Sequence, residues 1–203
     1  MTGRTGRRAI CCGVALVALV VTTSTGSAET VVIQSDRFVP ERLRVDLGNG
    51  VRWVNEDDMR HRIVSDPLDF FRTTWIRPGA TSDRVTFQSA GSFGYTSETQ
   101  PGLDGRIGVP VGIRPGDNAT PTPGAVIRIR VAIERVGGLV YDVQRRRDDG
   151  AWKTIREETS HPVVRFRPQR VGTFSFRARV TDTAGGVSSR WSPPRHKDVA
   201  PAP

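Results

Sequence analysis

Few residues in this 203-residue chain can do chemistry. It holds 3 histidines and 2 cysteines, at His61, His161 and His196, and at Cys11 and Cys12. His61 closes the run Asn55-Glu56-Asp57-Asp58-Met59-Arg60-His61. Its imidazole could ligate a metal together with Met59 or with a carboxylate from Asp57 or Asp58. The alternative is that His61 caps the end of a sheet by hydrogen bonding, because a lone histidine without other ligands rarely holds a metal. His161 and His196 precede or flank proline-rich turns, a poor setting for a preorganised base. The acidic pairs Asp148-Asp149 and Glu157-Glu158 read as solvated turns. No nucleophile elbow, His-Glu-x-x-His helix or phosphate loop is present, so no catalytic role is expected.

Arginine forms the other chemical pattern. Arg128 and Arg130 flank Ile129, Arg165 and Arg167 flank Phe166, and Arg177 and Arg179 flank Ala178. Alternate residues of a strand point to opposite faces, so these arginines, with Arg146, are placed on outer faces. Like charges opposed across strands repel, and an anionic partner would relieve that repulsion. The expected partner is an anionic cell-envelope polymer. The competing reading is a solvated face in an arginine-rich sequence, since the only lysines are Lys153 and Lys197. No nucleic-acid-binding motif occurs, and spacing alone brings out no aromatic-plus-basic surface.

The elements that must position these side chains are strands. Leu43, Val45 and Leu47 alternate with polar residues, as do Val51 and Trp53, Val85 and Phe87, and Phe93 and Tyr95. Later, Ile127, Ile129, Val131 and Ile133 alternate, then Val164 and Phe166, then Phe174, Phe176, Ala178 and Val180. Period two, broken by turns at Gly48-Asn49-Gly50, Pro78-Gly79 and Gly91, predicts half-buried antiparallel strands and an all-β fold of two sandwich domains. Trp53, Phe70, Phe71 and Trp75 are expected in the core.

Residues 1–28 read as a secretory signal peptide. Arg4, Arg7 and Arg8 precede the short apolar run Ala9 to Val21, and Gly26-Ser27-Ala28 offers a cleavage site. Both cysteines fall inside it, at the start of the apolar run, where a lipid-anchoring cysteine would instead close it. The mature chain is thus expected to have no disulfide, no transmembrane anchor, and a secreted or cell-envelope location. Residues 112–123, with their Pro-, Gly- and Thr-rich stretch, read as a linker. They separate a first domain at 29–111 from a second at 124–199. Net charge is −2 for residues 29–111 and +8 for 112–203, so the basic character lies in the second part.

The first domain resembles the cupredoxins of the plastocyanin and azurin type. The resemblance rests on Phe38-Val39-Pro40, on the stretch from Leu43 through Trp53 and Asn55 to His61, on Ile76-Arg77-Pro78-Gly79, on Gly91-Ser92-Phe93-Gly94-Tyr95 and on Gly105-Arg106-Ile107-Gly108-Val109. It implies a Greek-key sandwich and one copper held by an early His and a late Cys, His and Met. His61 matches the early His. Ser97 stands at the Cys, Gln100 at the second His and Leu103 at the Met. A hydroxyl, an amide and a hydrocarbon replace thiolate, imidazole and thioether, so no metal or cofactor is expected, and copper only with non-standard ligands.

The second domain resembles a fibronectin type III domain through Tyr141-Asp142-Val143-Gln144-Arg145, Trp152, the run Phe174 to Val180, Gly185-Gly186 and Ser192-Pro193. Phe174 replaces the usual Tyr, so the tyrosine-corner hydroxyl is missing. The resemblance implies a spacer or adhesion module. Three functions follow as expectations: an exported, non-enzymatic interaction or scaffold protein with an unknown protein partner, a copper storage or transfer protein using residual ligands, or a binder of anionic surface polymers.

Overall fold

Alternation of apolar and polar residues over short runs, with glycine and proline between them, leaves sheets as the means of burying this chain's apolar side chains. The computed structural model describes residues 28–66 and 70–202. Residues 1–27, which carry nearly all of the signal-peptide reading, lie outside them, while Ala28 opens the first strand. No helix occurs among the described residues, and so none long and apolar enough to cross a membrane.

The first unit stacks two four-stranded sheets. One has the order β2 (Phe38–Val39), β1 (Ala28–Ile33), β4 (Gly50–Asn55) and β6 (Val85–Thr86), and the other β3 (Arg42–Arg44), β8 (Asp104–Val109), β7 (Gly91–Ser97) and β5 (Ile63–Asp66). The pairs β1–β4 and β3–β8 are parallel and the rest antiparallel. Val31, Ile33, Val51, Trp53, Phe93, Tyr95 and Ile107 face inward and are buried. Trp53 meets Tyr95 edge-on at 5.5 Å and stacks on Phe71 at 5.7 Å. Gly105 has no side chain to collide with the Tyr95 ring that lies against it. Trp75 departs from the core expectation. It is exposed, with Arg60 and Arg62 over its ring at 4.6 and 5.6 Å.

The second unit pairs a three-stranded sheet with a five-stranded one. The first has the order β13 (Val163–Phe166), β10 (Ile127–Arg130), β9 (Gly112–Arg114). The second runs β12 (Lys153–Thr159), β11 (Leu139–Arg147), β14 (Gly172–Asp182), β15 (Val187–Ser188), and β16 (Arg195–Val199) also pairs with β14. Gly112–Arg114, read above as the start of a linker, is an edge strand: Ile113 pairs with Ile129 and is buried. The apolar Val-Gly-Ile at 111–113 lets the chain run from β8 into this sheet within a few residues. Glu157 and Glu158 lie in β12 rather than in a turn, with Glu158 at φ 45° beside the irregular β11–β12 pairing.

The units abut along main chain. Ala90 N donates to Val131 O at 2.7 Å, Ile133 N to Gln88 O at 3.0 Å, and Ser92 and Arg190 exchange two bonds. Ile133 accordingly leaves the β10 alternation and is half exposed. Gly91 opens β7 at this junction instead of making a turn, and a Cβ there would lie 2.6 Å from Ser189 Oγ. The buried apolar residues of both units form one continuous cluster.

Candidate functional site

The end of the first sandwich gathers Asn55, Asp57, His61 and Ser97. Asn55 ends β4, and its buried amide holds the following loop. Nδ2 donates to Met59 O at 2.7 Å and to Ile76 O at 3.0 Å, while Oδ1 accepts from Asp57 N at 2.9 Å. His61 is fixed by a two-bond bridge to Ile76. Ser97 arrives as the last residue of β7. His61 is wholly buried, and Ser97 and Asp57 are nearly so.

Both ring nitrogens of His61 are engaged. Nδ1 lies 2.9 Å from Ser97 Oγ and Nε2 lies 2.9 Å from Asp57 Oδ2. The network itself assigns the protons. Thr99 N donates to Ser97 Oγ at 3.3 Å, Ser97 O–H donates to Nδ1, and Nε2–H donates to the carboxylate. Both ring nitrogens are thereby satisfied. Burial works to raise the Asp57 pKa, but hydrogen bonds from His61 and from Asp58 N at 2.7 Å outweigh it and hold the carboxyl below its ordinary value.

The residues standing at the other two ligand positions point to different ends. Gln100 Nε2 donates to Ser35 O at 2.6 Å, and its Oε1 is buried without a hydrogen bond. Leu103 is buried in the core. The donors present do not fit blue copper, which needs a thiolate. A metal reaching His61 must break one of its two hydrogen bonds. Among the described residues, no group of three His, Cys, Asp or Glu side chains is placed to hold a metal. Asp57, named above only as a metal-ligating alternative, is the partner of His61, and its spacing of four residues in a turn was the available signal.

The arginines divide into two sets. Arg114, Arg128 and Arg165 form one row across three strands, since Arg128 pairs with both of the others. All three are exposed, and among the described residues none has a salt-bridge partner. Arg114, Arg128 and Arg130 line a cleft of ≈ 760 Å³ with Arg195, which itself bridges Asp46 at 3.5 Å and Asp117 at 3.8 Å. Arg167 lies away from this row and donates to Gly124 O at 3.1 Å.

Arg146, Arg177 and Arg179 belong to a different arrangement, on the outer face of the five-stranded sheet. Arg177 stacks between Trp152 at 4.1 Å and Trp191 at 4.8 Å, Arg146 covers Trp152 at 5.0 Å, and Arg179 covers Trp191 at 4.9 Å. Arg177 Nε and Nη2 donate to Gln144 Oε1 at 3.0 and 2.7 Å, and Arg179 Nε pairs with Asp142 Oδ2 at 2.8 Å. Burial, and then the charge of Arg146, lower the Arg177 pKa from its ordinary value. The sequence reading found no aromatic-plus-basic surface, and the structure corrects it. Trp152 and Trp191 come from a hairpin and an edge segment far apart in the chain, so spacing could not show the ladder.

No protein-family model matches the chain, and no curated protein matches it. Among solved structures it is similar to the oxidized form of a methionine-to-lysine mutant of amicyanin, at 24% identity and TM-score 0.37, over 40% of this chain and 81% of that one. It is also similar to a purple cupredoxin from Nitrosopumilus maritimus, at 19% identity and TM-score 0.37, over 40% of this chain and 98% of that one.

Proposed function

We propose that this chain is an exported, non-enzymatic binding protein in which a cupredoxin-like sandwich without blue-copper ligands is a scaffold for a second, fibronectin type III-like sandwich. The observation that carries the reading is the His61 imidazole, hydrogen-bonded at both nitrogens to Ser97 and Asp57 and buried from solvent. Such a ring has no lone pair free for a metal and no open face for a substrate. Metal analysis of the purified mature chain, followed by copper titration watched by absorbance, tests it. The expected result is substoichiometric copper and no intense thiolate-to-copper band. Sub-micromolar copper binding that disappears in His61→Ala would establish the copper storage reading instead.

A second reading concerns the partner. No carboxylate among the described residues pairs with the Arg114–Arg128–Arg165 row, and strands lie about 4.8 Å apart, so three cations stand at a spacing that favours a polymer of closely repeated negative charge. Retention on a heparin or polyphosphate column should fall in Arg128→Ala/Arg165→Ala. Elution at low salt, unchanged in that variant, rules the row out as a binding surface.

A further inference from the structure

The inner face of β11 carries Tyr141 and Val143, both buried, and then continues by alternation to Arg145 and Arg147. The β11–β14 register fixes this parity. Arg145 pairs with Phe176 and Arg147 with Phe174, and cross-strand partners share a face. Two arginines therefore take inner-face positions where the pattern calls for apolar side chains. Phe166 shares the inner face with Ile127 on the opposite sheet. It packs on Phe174 at 5.4 Å and on Phe176 at 5.5 Å, and Arg145 lies 5.7 Å over its ring.

This mouth of the sandwich is a cavity of ≈ 500 Å³, a size suited to a small ligand. Five cationic side chains line it, Arg145, Arg147, Lys153, Arg167 and Arg170, and no acid does. Arg145 Nε is buried without a hydrogen bond. Among the described residues, the one carboxylate paired to any of the five is Asp148, 3.3 Å from Arg147, and its Oδ1 already accepts from Thr173 N at 2.9 Å. Burying part of a guanidinium without a counter-charge is unfavourable for the free protein. The same groups form charge-assisted, forked hydrogen bonds when a tetrahedral oxyanion enters.

We propose that this end of the second sandwich binds a small molecule bearing at least two phosphate- or sulfate-type groups, with Arg145 as the anchoring residue and the phenylalanines as an apolar floor. The site is distinct from the Arg114–Arg128–Arg165 row, on the far side of the inner layer from it. It does not depend on the metal reading of the first domain.

The test is isothermal titration of the full mature chain with inorganic tripolyphosphate in one arm and a polysulfated disaccharide in the other, paired with thermal melts. Saturable one-site binding in either arm, weakened at least tenfold in Arg145→Met and retained in Arg44→Gln, an exposed arginine of the first unit, supports the site and names its anion. Arg145→Met replaces the cation with an apolar chain of similar length, so it should also melt higher than the parent without anion and lose the anion-dependent rise. No saturable binding in either arm, or binding that Arg145→Met leaves unchanged, or equal loss in Arg44→Gln, overturns the proposal.

Discussion

Ser97→Ala isolates the bond on which the scaffold reading depends. The change deletes one oxygen, and little volume goes with it. Its consequence is that His61 Nδ1, 2.9 Å from that oxygen, loses its donor at a position solvent does not reach. An orphaned buried acceptor costs roughly 1–3 kcal/mol. The bond from Thr99 N, long at 3.3 Å, adds little. For a chain of this size each kcal/mol moves the melting temperature by about 2–4 °C, so the variant should melt about 2–12 °C below the parent. Urea unfolding should show a lower midpoint with an unchanged slope, because the surface exposed on unfolding is the same. Ser97→Cys keeps a weak donor and should fall between the two. Nitrogen NMR of the parent should find the ring proton at Nε2 and the acceptor at Nδ1. A Ser97→Ala protein within about 0.5 kcal/mol of the parent, or a ring protonated at Nδ1 beside a neutral Asp57, would refute the network.

Two further outcomes follow. Asp57 has its carboxyl held below the ordinary value of 3.8, so its contribution to stability is present above that pH and is lost as pH falls through the lower native value. The acid-side drop in stability should therefore be shallower in Asp57→Asn than in the parent, measured by denaturant unfolding from pH 6 to about pH 2, and an identical drop would show that Asp57 is not charged against His61. Trp191→Leu keeps an apolar side chain but removes the ring that two guanidinium groups cover. At roughly 0.5–1 kcal/mol for each exposed cation–π contact, it should destabilise by about 1–2 kcal/mol, and a variant as stable as the parent would show that the stacking contributes nothing.

Much of the fold was legible because burial leaves a period in the sequence. Val51 and Trp53, Phe93 and Tyr95, and Ile127 and Ile129 alternate as they do because one face of each strand is dry. The reading failed where local pattern and tertiary need diverge. Gly112–Arg114 is too short to show alternation, and it is a strand because Ile113 meets Ile129 across the sheet. Trp75 is large and aromatic yet exposed, because arginines rather than core residues cover it. Arg145 and Arg147 share the parity of Tyr141 and Val143, and the β11–β14 register sets them opposite Phe176 and Phe174.

Residue type alone settled which atoms these side chains can offer: Ser97, Gln100 and Leu103 carry no thiolate, imidazole or thioether whatever the chain does in space. Only the folded chain decided what those atoms touch. Ser97 is 36 positions from His61, and Trp152 and Trp191 lie on either side of Arg177 in both sequence and space. Contacts of this kind are set by sheet register, which depends on long-range pairing of whole strands and leaves no short-range trace in the sequence.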